Sequence, residues 1–131
     1  MGMIKDAWDA AKEILRLSAD IKTRDKKQRD ELADVLTRIA DVLEAIYNKL
    51  KENIYPTAYC ASLETFAEDL YNSIHLIIGD EKALQLSTLL KPADKLEKLF
   101  HEITNGLVSY AELQKLEEAS GKFKVGSLLI K

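Results

Sequence analysis

Two histidines, one cysteine and an unclustered set of carboxylates are the side chains of this 131-residue chain best suited to chemistry. His101 has Glu97 one helical turn before it and Glu102 beside it. A carboxylate-bridged metal pair in a helical bundle needs a Glu-x-x-His motif on each of two helices, and zinc needs three or four closely spaced ligands. Neither histidine meets this, since Asn72 and Lys98 stand where the glutamates would have to be. No arginine lies a few residues before either histidine, as ribonuclease-like helical bundles would require. His75 borders an apolar stripe and reads as a packing residue. Cys60 lies on the same stripe with Leu63, Phe66 and Ala67, so a small buried hydrophobe is expected rather than a nucleophile. A lone cysteine also excludes an internal disulfide and suits a reducing compartment. Gly2, Gly79, Gly106, Gly121 and Gly126 are isolated, so no phosphate-cradling loop is present. The chain reads as a non-enzyme with no catalytic residue, metal or cofactor.

Charge points the same way. With 19 basic and 22 acidic residues the net charge is −3, which offers no overall footprint for nucleic acid. The basic residues do concentrate in one place. Residues 22–29, KTRDKKQR, carry Lys22, Arg24, Lys26, Lys27 and Arg29 with a single Asp. Such a cluster is an ordinary solvated corner or a contact for anionic lipid head groups, each basic residue contributing about 1 kcal/mol near such a surface. No aromatic residues are interleaved with it, which argues against single-stranded nucleic acid.

The elements that must position these residues are helices. From Asp30 to Ile54, Leu32, Val35, Leu36, Ile39, Val42, Leu43, Ile46, Tyr47, Leu50 and Ile54 recur at i, i+3, i+4, i+7, the signature of one helical face. A helix of that length with one apolar stripe needs partners. A first helix is expected over Met3–Lys22, with Ile4, Ala7, Trp8, Ala11, Ile14, Leu15, Ser18 and Ile21 inward and Lys5, Asp6, Asp9, Lys12, Glu13, Arg16 and Asp20 in water. Asp25 followed by Gln28 resembles a capping box for the second helix. Pro56 forces a connection, a third helix runs from about Ala58 to Ile78, and Gly79 ends it. A short helix is expected over Glu81–Leu90. Another follows with Pro92 as its first residue and Asn105 near its end. Ser109 with Glu112 opens a last helix, and Gly121 interrupts its pattern. The segment 122–131, with Phe123, Val125, Leu128 and Leu129, reads equally as continued helix or docked extension. Apolar residues at 47% and charged residues at 31% suit a single folded domain over residues 1–131. The fold class is all-α, a bundle of four main helices with shorter helices in the third connection. The longest uncharged run, Asn53–Leu63, is about half a membrane span, and no secretory leader is evident. A cytoplasmic protein is expected.

Three segments, IADVLEAIYNKLKENIYPTAYCASLETFAEDL, IIGDEKALQLSTLL and LEEASGKFK, together resemble Bell domains. That family is similar to the fungal HeLo domains and to MLKL-like four-helix-bundle cell-death domains. The resemblance spans most of the chain from about residue 30 and rests on helix pattern and the breaks at Pro56 and Gly79. It implies a cell-death executor of prokaryotic immunity. A sensor, often acting through an amyloid-type signalling motif, brings several bundles together. They self-associate, release the N-terminal helix and disrupt the inner face of the plasma membrane. Carried onto this sequence, the inserting residues are Met3, Ile4, Trp8, Ile14 and Leu15, and the anionic-lipid contacts are Lys22, Arg24, Lys26, Lys27 and Arg29. The first helix cannot cross a bilayer alone, because Asp6, Asp9, Glu13 and Arg16 interrupt it; it would lie in the interface or line an oligomeric pore. The other reading of the same residues is a helical adaptor that docks partner domains in a signalling or conflict system without touching lipid. An antitoxin or toxin-adaptor bundle is a third.

Overall fold

The computed structural model describes residues 2–131. The chain forms α1 (Met3–Lys22), α2 (Lys26–Lys51), α3 (Thr57–Ile78), α4 (Asp80–Leu90), α5 (Lys95–Thr104) and α6 (Tyr110–Ile130), with no strand among the described residues. The four long helices are α1, α2, α3 and α6, and α4 and α5 fill the third connection. This is the all-α bundle that the apolar periodicity predicts.

Local chemistry sets the boundaries. The Asp25 carboxylate accepts from the Gln28 backbone N–H at 2.9 Å and starts α2 four residues before the central stripe. The other end of α2 falls short of Ile54. Asn53 takes a left-handed φ of 61°, while the Ile54 N–H returns to the Lys49 carbonyl and the Asn53 N–H to Leu50. That is a Schellman stop, with Asn tolerating the left-handed conformation, and it leaves Ile54 outside the core. Gly106, at φ 71°, ends α5 by the same device. Pro92 does not begin α5. Ala93 takes a φ of 36°, which no right-handed helix contains, so Pro92 opens a turn closed by Lys95 N–H to the Pro92 carbonyl, and the helix starts at Lys95. Ser109 and Glu112 form the expected capping box on α6. That helix passes straight through Gly121 and makes residues 122–130 continued helix.

The helices close into a ring: α6 lies between α1 and α2, α3 flanks α2 on its other side, and α4 joins α3 back to α1. Inside it, Leu32, Leu36, Ile39, Leu43, Ile46 and Leu50 of α2 are fully buried, as are Leu63, Leu70 and Phe123. The α2–α6 seam is built from small residues. Ser120 donates its hydroxyl to the Ala40 carbonyl at 2.6 Å, and seven residues on Ser127 donates to the Ala33 carbonyl at 2.8 Å. The helices are therefore antiparallel with one register, and each buried hydroxyl is satisfied. Gly126 sits where α1 and α2 both approach: a Cβ there would lie 2.9 Å from Ile14 Cγ2 and 3.9 Å from Leu36 Cδ1.

The two glycines of α6 therefore separate in a stability test. Gly121 has no neighbour within 4 Å of an added Cβ, so Gly121→Ala should raise stability to urea by about 0.5–1 kcal/mol through helix propensity. Gly126→Ala gains the same propensity but overpacks against a β-branched, fully buried partner at about 1–3 kcal/mol, so its midpoint should fall. Equal shifts for the two variants would contradict the close approach at Gly126.

Candidate membrane-facing helix and basic corner

The first helix is held by a face rotated from the one its apolar spacing predicts. Its buried residues are Met3, Asp6, Ala7, Ala10, Ala11, Ile14, Leu17 and Ile21. Ile4, Trp8, Leu15 and Ser18, expected inward, are only half-buried at the rim, and Asp6, expected in water, is 5% exposed. The cause is a cation that the periodicity does not reveal. Lys95 at the start of α5 lies 3.1 Å from Asp6 Oδ2 and also donates to the Leu89 carbonyl at 2.9 Å. Asp6 Oδ1 has no hydrogen-bond partner. The pair ties the Asp6 side of α1 to the start of α5.

Of the five candidate inserting residues, Met3 and Ile14 are core, while Ile4, Trp8 and Leu15 form the rim. Trp8 is half-buried at that rim. Its ring lies against the core with the Lys122 ammonium 4.8 Å from its centroid, a cation–π contact from α6. Outward, Lys5 pairs with Asp9 at 2.8 Å and Arg16 pairs with Glu13. These are surface pairs worth little to stability.

The basic residues 22–29 occupy the end of the bundle where α1, α3 and α6 all terminate. Lys22 donates to the Lys131 carbonyl at 2.9 Å, and Arg29 reaches the same carbonyl at 3.0 Å and that of Ile130 at 3.4 Å. Arg24 crosses to the Ile77 carbonyl at the end of α3 at 3.1 Å, and Arg29 Nε donates to the Arg24 carbonyl at 3.1 Å. Lys26 pairs with Asp30 at 2.7 Å, and Lys27 is exposed. Three helix C-termini bring unpaired carbonyls and the negative ends of their dipoles to this corner, and the cations meet them. The Lys26 hydrogen bond first, then the Lys26, Arg29 and Lys131 charges, hold the Asp30 carboxyl below its usual range.

The residues considered for chemistry are scattered. His75 stacks on Tyr71 with ring centroids 5.1 Å apart and sets Nδ1 against the Tyr71 and Asn72 carbonyls. His101 is exposed beside Asn105. Cys60 is half-buried, and burial first, then Glu64 and Glu97, push its thiol up, the opposite of activation. Among the described residues no group of three or more His, Cys, Asp or Glu is placed to hold a metal ion. Among them, too, no helix is long and apolar enough to cross a membrane. Between α2 and α3 a shallow, mostly apolar cleft is lined by Val42, Ala45, Tyr59 and Phe66, with Arg38 and Asp41 at its edge.

Sequence spacing locates the basic corner and the limits of α1. It misses Asp6 and Lys95, whose separation of 89 residues leaves no local signal. Comparisons of the chain with protein-family models, with curated proteins and with solved structures gave no match.

The Asp6–Lys95 pair makes α1 docking testable. Lys95→Met strands a buried carboxylate and should cost about 3 kcal/mol in chemical denaturation. Asp6→Leu combined with Lys95→Met replaces the pair by apolar groups and should recover most of that loss. A double variant no better than Lys95→Met would show that the pair is not the fastening.

Proposed function

We propose that this chain is the effector bundle of a HeLo-like, Bell-type cell-death system. Clustered by a sensor carrying an amyloid-type signalling motif, it lets α1 leave the bundle, self-associates and disrupts the inner face of the plasma membrane. It acts without catalysis or a cofactor. The observation that carries this reading is the asymmetry of α1. Three of its buried residues are alanines, and one is a carboxylate with an unpartnered oxygen. A buried alanine contributes far less than the ~1.5–3 kcal/mol of a buried Leu, Ile or Met. The α2 face carries Leu, Ile and Val at most of its buried positions. The helix is thus held more weakly than α2. Its apolar arc also continues past the covered face through Ile4, Trp8 and Leu15, giving a freed α1 an amphipathic surface of interfacial type. The basic corner lies at the C-terminal end of the same helix.

The second reading, a non-enzymatic adaptor, draws on the apolar cleft between α2 and α3, which would take a partner helix with α1 in place.

Trp8 is the only tryptophan, so its fluorescence reports on α1 directly. Forced clustering on liposomes containing anionic lipid should release entrapped dye, shift Trp8 emission to the blue and make it quenchable by brominated acyl chains. Folded variants with Trp8→Asp, or with Lys26→Glu and Lys27→Glu together, should lose dye release. Unchanged Trp8 emission with no release on clustering would leave the adaptor as the better account.

A further inference from the structure

Helices α1 and α2 are neighbours in sequence but hardly in space. The backbone of α1 lies along α6 and α4 and touches α5, and it scarcely approaches that of α2. The contacts that seat α1 come from the second half of the chain. Asp6 pairs with Lys95, Trp8 lies under the Lys122 ammonium, and Ile14 fills the space beside Gly126. The slot that holds α1 is thus built by α4, α5 and α6, and every copy of the chain presents the same slot.

Only Thr23, Arg24 and Asp25 join α1 to α2. Thr23 is still right-handed, at φ −78° and ψ −10°. The turn is completed by Asp25, extended at ψ 161°, with its carboxylate on the Gln28 N–H. No Gly or Pro occurs anywhere from Met3 to Tyr55, so no residue of the corner forbids a straight helix. Run straight, the corner sets Asp20 against Arg24 and Asp25 against Arg29 at i, i+4, each with the acid nearer the N-terminus, which is the favourable order. Lys22 with Lys26 is the one like-charge pair at that spacing across it. The bend therefore rests on the Asp25 cap, on the Arg24 and Arg29 contacts at the corner, and on the docking of α1 itself.

We propose that this slot also takes the first helix of a second copy of the chain. The corner straightens, α1 and α2 become one helix from Met3 to Lys51, about 74 Å long at 1.5 Å per residue, and two chains exchange α1 reciprocally. Each exchanged helix meets the contacts of the closed chain, with Asp6 on Lys95, Trp8 under Lys122 and Ile14 at Gly126. Closed and exchanged forms share these contacts, so the balance between them is set by the corner and by local concentration, which clustering raises. The inference rests on the proposed function in using an α1 that leaves its own bundle, and it supplies the means by which clustered bundles associate.

The test is complementation by charge reversal in the whole chain. Asp6→Lys sets a cation against Lys95, and Lys95→Asp sets a carboxylate against Asp6, so neither variant forms the pair within one chain or with its own kind. Refolded together, each variant's α1 finds the opposite charge in the other's slot. Native mass spectrometry should show a 1:1 mixed dimer, about tenfold or more above the dimer of either variant alone. Asp25 supplies a second measurement that leaves the slot untouched and decides by itself where a charge variant fails to fold. Its φ of −67° suits proline, which keeps the bend and blocks a helix through the corner. Asp25→Ala removes the cap and permits that helix. After refolding at high concentration the parent chain should give a dimer fraction by light scattering, Asp25→Ala several times more, and Asp25→Pro monomer alone. Folded charge variants that give no more dimer mixed than apart would overturn the proposal. So would monomer throughout in Asp25→Ala, or a dimer undiminished in Asp25→Pro. A mixed dimer without dye release on clustering would sink the membrane-disruption reading and leave the exchange standing. Dye release without a mixed dimer would do the reverse.

Discussion

The close approach of α6 to α2 is the contact on which the rest of the bundle depends. Ser120 and Ser127, seven residues apart, meet the carbonyls of Ala40 and Ala33, also seven apart, along an antiparallel seam. Small residues allow the backbones to near one another, and the hydroxyls then have carbonyl partners where water is excluded. Thr37 Oγ1 lies 2.9 Å from Ser127 Oγ and extends the network by one turn. The seam has a single register. Sliding it by one heptad would set Ser120 against bulky Tyr47 or Ser127 against charged Lys26, and neither site offers the same fit. Once α6 is set, its other side receives α1 at Gly126, and the ring closes through α4.

The two faces of α1 reflect its place in that ring. It touches α6 on one side and α4 with α5 on the other, so its burial is divided rather than concentrated in one deep stripe. Ala7, Ala10 and Ala11 permit close contact but bring little apolar area. The remaining hold comes from Met3, Ile14, Leu17 and Ile21 and from the pair between Asp6 and Lys95. A helix fastened in this way is a natural weak point of the fold, because stability differs between segments according to the apolar area each one buries.

Helix number and type were legible because apolar residues recur with a clear period and because Asp25, Ser109, Gly79 and Gly106 carry punctuation that works locally. The Asn53 stop was less visible, since Asn signals a left-handed residue more weakly than Gly. The face of α1 was misread by about one residue position for a non-local reason: Lys95 makes a buried home for Asp6, and no window of sequence contains both. At the tip of α6 the sequence left continued helix and docked extension both open. Phe123, Val125, Leu128 and Leu129 look alike by hydropathy, yet only Phe123 is core, while Gly126 and Ser127 are buried. Small residues mark the covered side here, and apolarity alone points the wrong way. The basic cluster could be found from composition, but its role in meeting three helix ends depends on how the chain returns on itself.

The α2–α6 seam also sets an order of events during synthesis. The partner of α2 lies some eighty residues downstream of it. At a translation rate of about 5–20 residues per second, α1 and α2 exist for roughly 4–16 s before α6 has been made. Through that interval Ile14 of α1 lacks Gly126 beside it and Trp8 lacks the Lys122 ammonium over its ring. Each new copy therefore passes through a stage in which the side of its first helix that meets α6 is uncovered, and closure of the ring by α6 is the step that ends that exposure.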